Sequence, residues 1–317
     1  MNPALKANAY FNVLIGGGSG FIGKELVKHL RMKHNINSIL VSRSSGEKRI
    51  TWNDLERRGL PENCIAVVNL SGENILNPLK RFSEDFKEEV RRSRIDTTKK
   101  LADAIVKAEK KPQVFVTMSG VAYYPPDENK VYDEDNKCEE YDFLSKLTKD
   151  WEAASNLPDS VSVRQVTVRS GVVLGRNGGM IDNIRLPFKM GLGGVIGSGK
   201  QWLPWIHLSD IAGIFDHAIQ NDNVSGILNG VAPEATTYAQ FVKAYAKAMH
   251  KPAFFPTPAF AMNTIFGPER AKVILEGQNV MPKRTLESGF KFEYPTIEKA
   301  VDEIVNIYIP REAVFKE

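Results

Sequence analysis

Phe11-Asn-Val-Leu-Ile15 runs directly into Gly16-Gly-Gly-Ser-Gly20-Phe-Ile-Gly23, and this stretch decides the fold. A short apolar β run ends in a glycine-rich turn. Phe21, Ile22, Leu26, Val27 and Leu30 then recur at helical spacing. Gly17, Gly20 and Gly23 stand three apart. In a strand–turn–helix unit the first glycine permits the tight turn, the second lets backbone approach a pyrophosphate, and the third lets the helix pack on the strand. The helix start at Phe21 and Ile22 adds free N–H groups and a positive dipole end. Gly17, Gly20, Phe21, Ile22 and Gly23 are therefore candidate dinucleotide-binding residues. A plain βα turn has no need of so many glycines.

Outward from this unit, strands and helices alternate. Ser38–Ser42 reads as a second strand, Arg49–Trp52 as a short third, and Cys64–Leu70 as a fourth, apolar throughout as a strand covered on both faces should be. A long helical pattern spans about Glu84–Glu109. Val114–Thr117 is a fifth strand, about Lys146–Ala154 a helix, and Ser162–Leu174 holds a sixth strand. Pro204–Gln220 returns to a helix signal and Gly226–Val231 to a strand. Repeated βα units imply right-handed crossovers and an α/β, Rossmann-type doubly wound parallel sheet. The expected dinucleotide-binding core is residues 11–175, completed by about 204–231. Residues 176–203 and 232–317 form the expected substrate-side region, mostly helical and punctuated by proline in its C-terminal part.

Composition fits a globular enzyme of 317 residues, 42 Lys and Arg against 38 Asp and Glu, and a net charge of +4. That balance calls for neither nucleic acid nor membrane; the basic residues of 87–100 are mixed with acids, as on a solvated helix face. Cys64 and Cys138 have no metal-ligand spacing, no metal site is expected, and a reducing compartment fits best. Met1–Tyr10 reads as a short flexible leader, and a cytoplasmic location is expected, with a mitochondrial one left open. The expected partner is a small-molecule substrate, with a homodimer also open.

In the dinucleotide fold, an acidic residue about 20 positions beyond the last glycine selects NAD through the ribose 2′-OH. Here the second strand ends Val41-Ser42-Arg43-Ser44-Ser45, with no carboxylate. Ser42 and Arg43 would instead bind a 2′-phosphate, which favours NADP(H). Asn69-Leu70-Ser71-Gly72 follows an apolar strand, and small residues there let backbone pass close to a cofactor ribose.

Several segments together resemble the extended short-chain dehydrogenase/reductases: Gly17–Gly23, Asn69–Ile75, Ser119-Gly-Val-Ala-Tyr-Tyr124, Arg169–Gly175 and Pro204-Trp-Ile-His-Leu-Ser-Asp210. Gly191–Gly199, Leu275-Glu-Gly-Gln278 and Pro282–Gly289 narrow the likeness to the atypical, NADP-binding epimerase-family members of that superfamily. The likeness covers roughly residues 12–304. It implies a Rossmann core, NADP(H) and a small helical C-terminal region.

It also implies a Ser-Tyr-Lys triad, in which Tyr passes a proton, Lys four residues on supports the phenolate and holds the nicotinamide ribose, and Ser polarises the reacting oxygen. Ser119 and Lys146 match two of these positions. Asp142 stands where the Tyr belongs, and Tyr141 is one residue out of register, a rotation of about 100° on a helix. Tyr123 and Tyr124 could supply a phenol or line a pocket. His207 is a candidate near the cofactor, and Asp210 is expected to cap the following helix. Arg169, in an apolar strand, needs a buried partner. Trp202, Trp205 and Phe188 are expected in an aromatic core, and Lys283-Arg284 on a solvated turn. The expected function is an NADP(H)-dependent oxidoreductase or epimerase with a degenerate triad. The alternatives are a non-catalytic NADP(H)-binding redox sensor or scaffold, and a nucleotide-sugar epimerase.

Overall fold

The computed structural model describes residues 11–77 and 80–306; the expected leader at 1–10 lies outside them. Seven strands form one sheet in the order β10-β7-β5-β4-β1-β2-β3, with every neighbouring pair parallel. They are β1 (Asn12–Gly16), β2 (Asn37–Ser42), β3 (Arg49–Thr51), β4 (Cys64–Asn69), β5 (Val114–Gly120), β7 (Arg164–Ser170) and β10 (Gly226–Gly230). From β1 the chain moves to one edge through β2 and β3, then crosses back to β4 and the other half. Such a reversal opens a crevice at the carboxyl ends of β1 and β4, where doubly wound sheets bind ligands.

Strand alternation sends apolar side chains to both faces. Val13, Ile15, Val68, Val116 and Val168 pack with Leu26 and Leu30 of α1 (Phe21–His34) and with Ile211 and Phe215 of α6 (Leu208–Gln220). Leu14, Val67 and Phe115 face Leu101 and Ile105 of α3 (Glu84–Lys107) and Leu55 of α2 (Trp52–Arg58). A second core joins α5 (Gly179–Lys189), α7 (Tyr238–Ala248) and α11 (Ile297–Asn306) around Phe188, Trp205, Phe241 and Val301. Trp205 and Phe188 are thus core residues, whereas Trp202 is half-buried and its indole N–H donates to the Glu128 carbonyl at 2.9 Å. The remaining helices are α4 (Phe143–Ala153), α8 (Ala259–Phe266), α9 (Pro268–Leu275) and α10 (Lys283–Glu287).

Two readings of the sequence are corrected and one unforeseen strand pair is added. The run 162–174 is not one strand: β7 ends at Ser170, Gly171 turns the chain out of the sheet, and β8 (Val172–Leu174) pairs with β9 (Trp205–His207). A Cβ on Gly171 would stand 2.3 Å from the Pro204 carbonyl oxygen, so the two backbones meet only because the side chain is missing. The helix signal from Pro204 accordingly begins with β9, and α6 starts at Leu208. Second, β6 (Asp127–Tyr132) and β11 (Gln278–Val280) form a further parallel pair with no signal in the sequence, since β6 carries mostly polar, exposed residues. Third, α4 begins at Phe143 rather than near Lys146. Asp142 is its N-cap, its carboxylate accepting from the Ser145 N–H at 2.7 Å while the Ser145 hydroxyl accepts from the Asp142 N–H at 2.9 Å.

Candidate active site at the carboxyl end of the sheet

The glycine turn behaves as its spacing requires. Gly17 has φ +73°, and a Cβ there would lie 2.6 Å from the Leu70 carbonyl. A Cβ on Gly23 would lie 2.4 Å from the Gly17 carbonyl oxygen, so this glycine lets the helix seat against the turn. Gly20 differs: only the Gly17 carbonyl oxygen, at 3.2 Å, comes within 4 Å of its would-be Cβ. Gly20 is also the N-cap of α1 and supplies no side chain to its first N–H groups. Open space beside an uncapped helix start is what a phosphate needs. Phe21 packs away from that space, beneath Gly175, Gly178 and Gly179.

The neighbouring β4 turn completes the cradle. The Asn69 amide donates to Thr98 at 2.7 Å and its carbonyl oxygen accepts from the Ser71 N–H at 3.0 Å, so Asn69 pins the turn. The Ser71 hydroxyl is buried with no hydrogen-bond partner and faces the backbone at Gly16. An orphaned buried hydroxyl at the mouth of a glycine turn fits a ribose or phosphate oxygen. A Cβ on Gly72 would come within 3.0 Å of the Arg94 guanidinium, which donates to the Glu73 carbonyl and holds this loop in place. Burial brings the Arg94 guanidinium down to about 10 despite the nearby Glu73 charge. Beyond β2, Ser42 donates to the Ser44 carbonyl at 2.6 Å and shapes the bend, leaving Arg43 exposed at its tip.

At the ends of β5 and β7 lies a network of side chains drawn from distant parts of the chain. Ser119 donates to Glu152 Oε1 at 2.7 Å. Arg169 donates to both oxygens of Glu152, each at 2.8 Å, which supplies the partner its burial demands. A further N–H of Arg169 reaches the Tyr124 hydroxyl at 3.0 Å, and that hydroxyl donates to Asn229 of β10 at 3.0 Å. Tyr124 is fully buried, and burial pushes its phenol up to about 12 against the pull of Arg169. It is a network member rather than a proton carrier. Tyr123 lies with its ring 3.3 Å from the Arg169 guanidinium carbon and 5.9 Å from the Lys149 ammonium.

Tyr141 and Lys146 sit elsewhere. Tyr141 precedes the N-cap of α4, and its hydroxyl is 3.0 Å from the carbonyl oxygens of both Ala122 and Tyr124. Burial, and then the Asp142 charge, push its phenol upward. It pins the loop after β5. Lys146 is 58 % exposed and pairs with Asp150 at 3.4 Å and Glu140 at 3.9 Å. Helical geometry explains the outcome. Ser145, Thr148 and Glu152 share the inner face of α4, whereas Lys146 and Asp150 share an outer one. The α4 side chain that meets Ser119 is Glu152, which sequence reasoning missed. Its signal was a carboxylate on the buried face of a helix in a chain whose apolar strand carries an arginine.

His207 is buried, its Nδ1 accepting from the Ser209 N–H at 3.2 Å and its Nε2 donating to Glu303 at 3.1 Å. Its ring packs on Tyr294 with centroids 3.9 Å apart. All these partners belong to α6 and the C-terminal region, so His207 locks α11 to the β8–β9 pair. His207 is also the N-cap of α6, which corrects the expectation for Asp210. The Asp210 carboxylate instead accepts from the N–H groups of Glu293 and Tyr294 at 2.7 and 2.9 Å. Lys283 and Arg284 form ion pairs with Asp135 at 2.6 and 2.7 Å, a clamp rather than a free turn. Among the described residues no group of three or more His, Cys, Asp or Glu could hold a metal ion, and no helix is long and apolar enough to cross a membrane.

A seven-stranded parallel sheet with a phosphate-ready glycine turn at its switch point defines a nucleotide-binding α/β protein of the Rossmann class. Residues 13–229 match the NAD dependent epimerase/dehydratase family, and residues 257–304 match a domain of unknown function, DUF1731. The chain belongs to the NAD dependent epimerase/dehydratase family. It is 51 % identical over 295 residues to the epimerase family protein SDR39U1 of Bos taurus, covering 92 % of this chain and 99 % of that one. The chloroplastic SDR39U1 homolog of Arabidopsis thaliana is 35 % identical over 305 residues, covering 92 % of this chain and 86 % of the relative. The crystal structure of human epimerase family protein SDR39U1 with NADPH superposes with a TM-score of 0.91 at 49 % identity, covering 94 % of this chain and all of that one (100 %). UDP-N-acetylglucosamine 4-epimerase from Bacillus cereus shares the fold, with a TM-score of 0.72 at 18 % identity and coverage of 93 % and 98 %.

Proposed function

We propose that the protein is an NADP(H)-dependent oxidoreductase or epimerase acting on a small, hydroxyl-bearing metabolite. The observation that carries this reading is the open, uncapped space at Gly20 at the same end of the sheet as the Ser119–Glu152–Arg169 network. The human relative crystallised with NADPH supports it. Gly17, Gly20 and Gly23, with the N–H groups at Phe21 and Ile22, hold the pyrophosphate. The Ser71 hydroxyl takes a ribose or phosphate oxygen, and Arg43 with Ser42 takes the 2′-phosphate. When bound, the nicotinamide supplies hydride donation or acceptance at a carbon of the substrate.

Ser119 orients the substrate oxygen. Its proton is engaged by Glu152, so its oxygen faces the substrate as an acceptor, suited to a hydroxyl rather than a carbonyl. Arg169 fixes both oxygens of Glu152, which keeps Ser119 in that orientation. Tyr123 is the phenol nearest in sequence to Ser119 that the network leaves half-exposed. One observation favours the second reading, a cofactor-binding sensor: Lys146 is turned outward and Tyr141 pinned to carbonyls, so neither pairs with Ser119. Incubation of small carbonyl compounds with NADPH, and of hydroxyl compounds with NADP, with the substrate's configuration followed as well, separates the two. An oxidoreductase interconverts NADPH and NADP, an epimerase inverts a substrate carbon with no net change in cofactor, and a sensor leaves cofactor and substrate unchanged.

A further inference from the structure

The overall charge of +4, which by itself calls for no membrane, hides an uneven distribution. The chain carries 38 Asp and Glu among 317 residues, yet residues 183–209 and 235–268 contain neither. Those two stretches hold Arg185, Lys189, Lys200, Lys243, Lys247 and Lys251. All six are exposed, and none forms an ion pair among the described residues. The acids that bound the stretches are mostly engaged elsewhere. Asp210 and Glu234 accept from the N–H groups of Glu293, Tyr294 and Ile297, and Glu269 pairs with Lys87 of α3 at 2.7 Å. Asp182 stands at the first turn of α5.

The same two stretches build one apolar surface. Residues 252–258 run beside 193–197: the Phe255 N–H donates to the Gly193 carbonyl at 3.2 Å, and the Thr257 N–H to the Val195 carbonyl at 2.8 Å. The Phe255 carbonyl stands where a Cβ of residue 194 would be, so only Gly194 lets the segments meet. Beneath them α5 and α7 pack through Phe188 and Tyr245, with ring centroids 5.0 Å apart. Leu186 and Met190, one turn apart on α5, face outward with Leu192, Phe254 and Phe255. α8 adds Phe260 and Ile265, and none of its 8 residues is charged, although a surface helix ordinarily turns charge to water. Phe254 is 82 % exposed and Phe260 71 %, so these rings project from the surface rather than line a groove. A contiguous exposed apolar patch of this kind marks an interaction site.

The cations decide what it meets. Arg185 and Lys189 lie one turn apart on α5, beside Leu186 and Met190. Lys243, Lys247 and Lys251 recur every four residues along α7 and into the segment that carries Phe254. A two-fold contact with a second copy would set these unpaired cations against their own kind. A layer of anionic headgroups over hydrocarbon suits both features. Projecting rings enter the acyl boundary, and long Lys and Arg stems lie along it with their charges at the headgroups. We propose that this face docks on an anionic lipid bilayer, so that the protein lies on the membrane surface without spanning it.

The test uses the full chain and two kinds of vesicle: phosphatidylcholine alone, and phosphatidylcholine with phosphatidylserine in equal parts. Binding is read by co-flotation. The chain should float with the mixed vesicles, be released by raised salt, and bind phosphatidylcholine alone about ten-fold more weakly or worse. A joint Phe254→Ser, Phe260→Ser variant should bind the mixed vesicles about ten-fold more weakly or worse, through lost apolar burial. A joint Lys189→Glu, Lys251→Glu variant should lose as much through charge, while Lys189→Arg, Lys251→Arg binds as the parent does. All these variants should keep the parent's Tm, because the four side chains are exposed. A parent chain that stays out of the mixed vesicles, or that binds phosphatidylcholine alone as tightly, would overturn the proposal, and the patch would then serve a protein contact. So would a Phe254→Ser, Phe260→Ser or Lys189→Glu, Lys251→Glu variant that binds as the parent does. If Phe254→Ser, Phe260→Ser instead turns a dimer into a monomer in sedimentation, the face belongs to a second copy and the lipid assignment is wrong.

Discussion

The two ends of the cleft are built on opposite plans. At the phosphate end, Gly16–Gly23 and Asn69–Gly72 create the cradle from backbone, within two short segments on neighbouring strands. At the end proposed to hold the substrate, Ser119, Glu152, Arg169 and Asn229 come from β5, α4, β7 and β10, and only the fold brings them together. The first end depends on the absence of side chains, the second on their pairing. A substitution at the first should therefore remove ligand binding with little loss of stability where space is open. At the second it should strike stability as hard as function.

The largest effect is expected at Arg169. Truncation to Ala leaves Glu152, whose side chain is 15 % exposed, without its cation. Breaking a fully buried pair typically costs about 3–5 kcal/mol, and the partial exposure of Glu152 places this one toward the lower end. Chemical denaturation of Arg169→Ala measures this, and a double variant Arg169→Met, Glu152→Leu should regain part of the loss. A single variant as stable as the parent would mean that water, not Arg169, satisfies Glu152.

Within the glycine turn the contrast can be sharpened further. Gly20→Val should abolish NADPH binding in calorimetry with little change in Tm, because its Cβ meets one atom only, at 3.2 Å. Gly23→Ala should lower stability by about 1–3 kcal/mol, because its Cβ is driven to 2.4 Å from the Gly17 carbonyl oxygen. Equal Tm losses in the two variants would erase the distinction between ligand space and packing space.

A smaller effect is expected from acid. Burial raises the Glu303 carboxyl, but the His207 hydrogen bond and the Arg176 charge outweigh it and hold the group below its ordinary value of 4.5. Its contribution is fully present above about pH 4.5 and is lost as pH falls through the lower folded value. Glu303→Gln should therefore lower Tm near neutrality and flatten its fall in acid. A parallel Tm–pH curve for the two proteins would remove Glu303 from the acid response. Smallest of all is Lys146→Ala: an exposed pair contributes about 0–1 kcal/mol, and NADPH affinity should hardly move. A large loss of affinity would show that Lys146 turns inward to the ribose when ligand binds.

The same contrast explains what the sequence disclosed. The parallel sheet, the glycine turn and the missing acid after β2 were readable because each is a local pattern: apolar period, glycine spacing, one residue at a strand end. The need of Arg169 for a partner was readable too, but not which partner. Glu152 became visible only once the start of α4 was known, and that depended on the Asp142–Ser145 capping box. One residue of register separates a Tyr in the site from a Tyr pinned to the carbonyls of Ala122 and Tyr124. Gly171 likewise ends a strand for a reason 33 positions away in the chain, at Pro204.

The central claim is that Gly20 makes room for the cofactor's pyrophosphate and Arg43 selects NADP(H) over NAD(H). Calorimetric titration of the full chain with NADPH and NADH tests it most directly. The account predicts tighter binding of NADPH by about 1.5–3 kcal/mol, the range of a hydrogen bond to a charged group, and loss of that preference in Arg43→Ala. Equal affinity for the two cofactors, or an Arg43→Ala variant that still prefers NADPH, would contradict it.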